Sequence, residues 1–434
     1  MFCTYLFSLL ILFTWYQSIH ADRFSQIAEA HNVLDYQQLG WINKPFPVDL
    51  KLFGYVKAEG IFDSRQNFAL RDGQLLYFPL EKRPDVLGAD INSRGTFDAY
   101  AIQTRIDLSG EGPTIGCYDS GFLIEGDFFG RTELTINEYE LRLGFLELRS
   151  ECLTFLAGQN YHPICFPFES PDTISFNSGI PIAPYALCPQ FKVTYIDNHI
   201  EFLAAAIGYV GDRPFGVAGA DDKVFRDAMM PDFFVQMRVM GDVDNYTGVG
   251  FDVMRIVPRL QTNFNFKEVS PITSVATDFF IRLQYNDFVL YSKLIYAQNA
   301  AIFELIGGIA VKTRDPLTDI RTYAPLQTLG CYVEFIRQGT FEPGLFIGYV
   351  KNLGAGTTII PSLENQVSVF GIGTNISNVF RISPRIRWYL NSFIVGIEYE
   401  YTRAAYGILN NRAQVENAIP VANNRFLFAT YYVF

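Results

Sequence analysis

The chain has 434 residues and a formal net charge of −11, which argues against nucleic acid as a partner. Charged residues make up 18%, below the roughly 25% of soluble domains. With 49% hydrophobic content, 40 Phe, 25 Tyr and 34 Gly, the composition excludes a disordered chain and favours strand over helix.

Residues 1–21 contain no Asp, Glu, Lys or Arg, and a short apolar run is followed by Gln-Ser-Ile-His-Ala. The pattern reads as a signal peptide cleaved after Ala21. Residues 22–50 read as a short leader on the periplasmic side. From residue 51 to 434, period-two alternation recurs. The first strand is expected over Lys51–Phe62, with Lys57 and Glu59 on one parity and Val56, Ala58 and Phe62 on the other. Ala99–Leu108 follows, then Phe122–Phe129, where Glu125 and Asp127 share a face. Glu138–Glu147 sets Arg142 and two glutamates against Tyr139, Leu141, Leu143 and Phe145. Twelve further segments, ending at Arg425–Phe434, bring the total to about sixteen. In the last one, Phe426, Phe428, Tyr432 and Phe434 share one parity.

A Lys or Arg on a lipid face costs about 2–4 kcal/mol at the bilayer midplane. Charges confined to one parity over many strands therefore imply a wet interior and a greasy exterior. Because a lipid-exposed sheet must close on itself, the expected fold is all-β, a transmembrane antiparallel β-barrel. Connection lengths support it. Short joins at Arg149–Cys152, Asp197–Asn198, Asn286–Asp287 and Asn391–Ser392 alternate with long ones. The long ones are Asp63–Gly95, Gln159–Pro189, Val210–Pro231, Gln298–Leu326, Lys351–Val379 and Arg403–Asn423. Short periplasmic turns and long extracellular loops are the pattern of bacterial outer-membrane barrels.

Several segments resemble the DcaP-like family of outer-membrane porins: FGYVKAEGIFD in the first strand, EGDFFG (Glu125–Gly130), LRLGFLEL, LAGQNY and SPDTISFNSG (Ser170–Gly179). These motifs lie within residues 53–195, and the aromatic C-terminus is similar to that of barrels generally. The resemblance implies location in the outer membrane of a Gram-negative-type bacterium, contact with its lipids, a homotrimer and a passive channel for small hydrophilic solutes.

A barrel of this size encloses a lumen too wide for wall side chains to fill. The expected constriction is an inward fold of Gln159–Pro189. Its six prolines oppose strand pairing, and Glu169 and Asp172 give it an acidic element. Inward parity marks Lys57, Arg105, Arg142, Lys192, Arg238, Arg282, Lys293, Arg385 and Arg387 as candidate pore-lining cations, together with Glu125 and Asp127. In RISPRIRWYL the ladder Arg381, Arg385, Arg387 suggests weak, repeated carboxylate binding, hence a preference for anionic or zwitterionic solutes. The same arginines could instead be neutralised by Glu398, Glu400, Glu125, Asp127 and Glu334. A plugged barrel whose loops bind partners is the alternative function. No cofactor is expected and no metal-ligand spacing stands out. The chain has no recognisable nucleophile motif, and His162 near Ser170 in a proline-rich loop does not supply one, so the reading is not an enzyme. Cys165 with Cys188, and Cys117 with Cys152, are candidate disulfide pairs.

Overall fold

An open sheet in hydrocarbon would leave a row of unsatisfied N–H and C=O groups at each edge. The computed structural model describes residues 48–434 apart from 166–170, 178, 211–214, 218, 221, 242–243 and 362–367, and in it the sheet closes. Sixteen antiparallel strands follow one another round the wall. They are β1 (Asp49–Asp63), β2 (Arg105–Glu111), β3 (Asp119–Asp127), β4 (Glu140–Arg149), β5 (Leu153–Tyr161) and β6 (Leu187–Asp197). Next come β7 (Ile200–Ile207), β8 (Asp232–Met240), β9 (Tyr246–Ile256), β10 (Ile272–Tyr285) and β11 (Phe288–Gln298). The wall is completed by β12 (Arg321–Arg337), β13 (Phe341–Ala355), β14 (Ile376–Leu390), β15 (Phe393–Leu409) and β16 (Val415–Val433). The seam runs from Tyr55 opposite Val433 to Asp63 opposite Arg425. Gly54 and Phe434 exchange two backbone hydrogen bonds of 3.0 Å at its end.

The expected signal peptide and nearly all of the leader lie outside the described residues. β1 begins at Asp49, just ahead of the expected barrel start. The outward parity is apolar as expected: Phe426, Phe428 and Tyr432 are about half exposed, while Arg425, Leu427 and Ala429 between them are buried. Asn198, Asn286 and Asn391 adopt left-handed φ of 51°, 49° and 55° in three of the tight turns, a conformation Asn tolerates better than most residues.

Three expectations need correction. The segment Ala99–Leu108 is not one strand. Thr96–Tyr100 pairs with the end of β1, β2 pairs with its beginning, and a turn (Thr104 N–H to Ala101 O, 3.1 Å) separates them. Within LRLGFLE, a bulge at Arg142 resets the alternation, because Glu125 faces Leu143 whereas Gly126 faces Leu141. Leu143 is therefore buried beside Arg142, and Leu146 takes the outer face. Arg403–Asn423 is not a long loop. β15 and β16 continue their ladder to Leu409 and Val415, and Asn410 caps the turn by accepting from the Arg412 and Gln414 amides at 2.9 and 3.0 Å. Its polar residues read as loop because a strand projecting beyond the bilayer no longer needs an apolar face.

All five described cysteines are thiols: Cys117, Cys152 and Cys331 exposed, Cys165 and Cys188 buried. Neither candidate pair is joined by a disulfide.

A buried ion pair crosses the seam. Arg425 Nη2 lies 2.8 Å from Asp63 Oδ2 across the closing ladder and also donates to Gly73 O at 2.7 Å. Removing one partner of a buried pair typically costs about 3–5 kcal/mol. Arg425→Leu is expected to lower unfolding stability in detergent micelles by about that amount. Adding Asp63→Asn should recover part of the loss, and urea titration of the folded band by gel mobility reads both.

Candidate functional site

Loops normally lie on the surface because buried backbone must find partners. The segment after β5 does the opposite: it enters the lumen, and wall side chains satisfy it. Its backbone meets carboxylates first. The Asp172 amide donates to both Glu334 oxygens at 3.0 and 2.9 Å, and the Ile174 amide donates to Glu398 Oε2 at 2.6 Å. Asn177 donates to Glu400 Oε2 at 2.6 Å. Cations take the loop's carbonyls. Lys57 Nζ reaches Ile174 O at 3.0 Å and Lys293 Nζ reaches Ile164 O at 2.6 Å. The expected inward fold of Gln159–Pro189 is thus observed for its described part. Glu169 lies outside the described residues.

The arginine ladder of β14 is occupied by the same loop and its neighbours. Arg387 Nη2 donates to Asp172 Oδ1 at 2.8 Å and to Asp172 O at 2.7 Å, and Arg387 also pairs with Glu342 at 3.2 Å. Arg385 pairs with Glu334 at 2.7 Å and Asp172 at 3.5 Å. Arg381 pairs with Glu400 at 3.2 Å and donates to Tyr77 O at 3.0 Å. Burial works to raise the Asp172 carboxyl, but Arg387 and Arg385 outweigh it and hold the group below its ordinary value of 3.8.

Two other segments join the loop inside. The hairpin Asn67–Leu70/Leu75–Pro79 buries all of LLYFP, and Tyr77 donates to Glu304 at 2.6 Å. Glu304 belongs to the turn after β11, where Ala300–Phe303 and Leu305–Ile306 are wholly buried. Ile180, Ile182, Tyr332 and Phe346 complete an apolar cluster between loop and wall. Sequence reasoning missed both segments. The signal was there: LLYFP and AAIFELI are apolar runs inside joins that solvent alone would not favour.

The remaining expected residues sit on the inner wall in pairs. Lys57 is fully buried against Glu59 at 2.8 Å. Arg142 bridges Glu125 (2.9 Å) and Asp127 (3.2 Å), and Arg105 reaches Glu125 at 3.3 Å. Arg238 pairs with Glu201 at 2.6 Å, and Arg282 Nε donates to Tyr291 at 3.3 Å. The structure therefore gathers two constellations: one round Asp172 and β12–β15, one round Glu125 on β2–β5. Both keep some solvent-facing charge: in the first, Asp172 and Arg387 keep 48% and 11% side-chain exposure. Arg105 and Glu125 keep 16% and 13% side-chain exposure, and Arg149 and Glu147 on the same arc keep 25% and 23%. Arg381 and Arg385 keep none.

No protein-family model matches the chain, and no curated protein matches it. Solved structures do. The outer membrane channel DcaP of Acinetobacter baumannii superposes with a TM-score of 0.65 over 89% of this chain and 97% of that one, at 13% identity. OmpT of Vibrio cholerae, an outer-membrane protein, gives 0.53 over 91% and 100%, at 12% identity. A trimer form of OmpT gives 0.52 over 89% and 99%, at 10% identity. The chain shares the closed β-barrel fold of these outer-membrane proteins. The resemblance read from residues 53–195 agrees with it.

The contact of the Asp172 carboxylate with Arg385 and Arg387 has a definite pH window. A carboxyl depressed by arginines contributes above its unfolded value and loses that contribution as pH falls through the folded one. The Asp172 carboxyl, read by its carbon chemical shift, is expected to stay ionised from pH 7 down to 4 and to take up its proton only below the ordinary carboxyl value of 3.8. In Arg387→Ala the amides of residues 172–177 should exchange faster at pH 7, as hydrogen exchange with mass spectrometry reads.

Proposed function

We propose that the chain is a porin-type diffusion channel of the outer membrane, passing small hydrophilic solutes down their gradient without a cofactor. The observation that carries this reading is an inward loop anchored to the inner wall of a closed barrel. Solvent-accessible charge remains beside it, at Arg105, Glu125, Glu147 and Arg149 on the wall and at Asp172 on the loop itself. Lys192, on the inner parity of β6, adds a half-buried cation to the wall. The arginine ladder is neutralised by Asp172, Glu334 and Glu400, so it does not supply free anion sites. Along β2–β4 cations and carboxylates interleave: Arg105–Glu125–Arg142–Asp127. That arrangement favours solutes carrying both charges over purely anionic ones, since each end finds a partner weak enough to release it.

Homotrimeric assembly in the lipid of a Gram-negative-type outer membrane belongs to the same reading. The trimer form of the Vibrio cholerae protein supports it. So does the apolar outward face, with Phe191 74% exposed and Phe233, Phe251 and Phe279 about half exposed. Transport, not catalysis, is the activity proposed.

One observation favours a second reading, a plugged structural or adhesive barrel: most inward charges are buried beneath three inserted segments. Planar bilayers separate the two. The channel reading expects resolved single-channel steps with weak ion selectivity, and Arg105→Ala with Arg142→Ala should shift the reversal potential toward cations. Arg238→Ala, on β8 and outside that row, should shift it less. Electrical silence of correctly folded protein would establish the plugged barrel instead.

A further inference from the structure

Two carboxylates share a buried pocket at the foot of the inward loop. Asp232 opens β8, and Asp252 lies on the inner parity of β9. His162, the first residue after β5, points between them. Exposure is 0% for His162 and Asp252 and 4% for Asp232. The rings of Tyr209, Phe234 and Phe303 surround the imidazole, with centroids 6.4, 5.6 and 5.2 Å away. Among the described residues no Lys or Arg forms an ion pair with either carboxylate. The Tyr209 hydroxyl donates to Asp232 Oδ2 at 2.6 Å.

Hydrogen bonding does not satisfy this pocket. His162 Nε2 stands 3.5 Å from Asp232 Oδ2 and 3.4 Å from Asp252 Oδ1. A charge-assisted N–H···O bond would be about 2.7–2.9 Å. Nε2, Asp232 Oδ1 and both oxygens of Asp252 have no hydrogen-bond partner. Leaving buried carboxylate oxygens bare is costly. The spacing suits a different occupant. Donors at about 2.05 Å from a tetrahedral ion lie about 3.3 Å apart, and one donor atom from each of the three side chains falls within 4.8 Å of the others.

We propose that His162, Asp232 and Asp252 form a divalent transition-metal site, of zinc or manganese type by donor chemistry, that fastens the inward loop to β8 and β9. One imidazole nitrogen and two carboxylates leave a further coordination position, with the Tyr209 hydroxyl beside it. Binding through Nε2 places the ring proton on Nδ1. That atom now accepts from the Ile164 amide at 3.2 Å, so the Pro163–Cys165 turn has to shift as the ion enters. Ion occupancy and the position of the loop's first turn are thereby coupled. The site stands whether or not the barrel conducts.

The test uses the full chain purified in detergent, stripped with EDTA, re-equilibrated with Zn²⁺ and desalted. Metal analysis is expected to find one zinc per chain. The isosteric Asp252→Asn and the variant His162→Gln should fall to background, while Asp197→Asn, on a surface turn, keeps its zinc. Wild type retaining no more zinc than Asp252→Asn overturns the proposal and leaves a cluster that shares protons. If the variants fail to fold, Co²⁺ added to stripped wild type decides. Intense visible d–d absorption of low-symmetry cobalt, displaced by Zn²⁺, supports the site, and its absence sinks it.

Discussion

Closure of the sheet is the constraint from which the rest follows. In hydrocarbon each backbone group needs a protein partner, and a ring of antiparallel strands is the only sheet that gives every strand two neighbours. Once the ring is closed, alternation sorts side chains without further instruction. Odd residues of β16 from Arg425 to Ala429 face in, and Phe426 and Phe428 face lipid. The Asp63–Arg425 pair holds the seam in register, since a slip by one residue would carry an arginine into the bilayer.

The same sorting creates a problem inside. A polar inner wall is stable against water, but here three segments from the long-loop rim fold onto it and exclude much of that water. Their backbone amides and carbonyls then need partners, and the wall's ionisable groups supply them. Glu334 and Glu398 accept loop amides, while Lys57 and Lys293 meet loop carbonyls. Buried ion pairs are weak evidence for stability in themselves. What they provide here is position: the loop can lie only where its donors and acceptors are matched. The free cross-section of the bore depends on that placement.

The architecture was legible because it rests on periodicity, which is local. Segments such as EYELRLGF and RISPRIRWYL show their two faces directly, and Asn at the tight turns marks the short joins. The inward parity of Lys57, Arg142 and Arg385 was also readable. Their roles were not. A charge facing inward has the same pattern whether it meets water or an inserted loop, and the difference lies in residues hundreds of positions away, as between Arg381 and Tyr77. The Arg142 bulge escaped because one extra residue leaves the alternation intact on either side. The cluster of His162, Asp232 and Asp252 escaped because its members come from a loop and two strands with no fixed spacing.

The inserted segment is held at its start by Lys293 of β11 and farther along by Glu334 of β12, Glu398 of β15 and Lys57 of β1. It leaves the wall at β5 and rejoins it at β6, so it spans the ring like the spoke of a wheel. A hoop braced across its bore resists being squeezed into an oval. Side pressure from crowded lipids or neighbouring barrels would meet a stiff cross-member, and the bore would keep its outline while the membrane around it flexes.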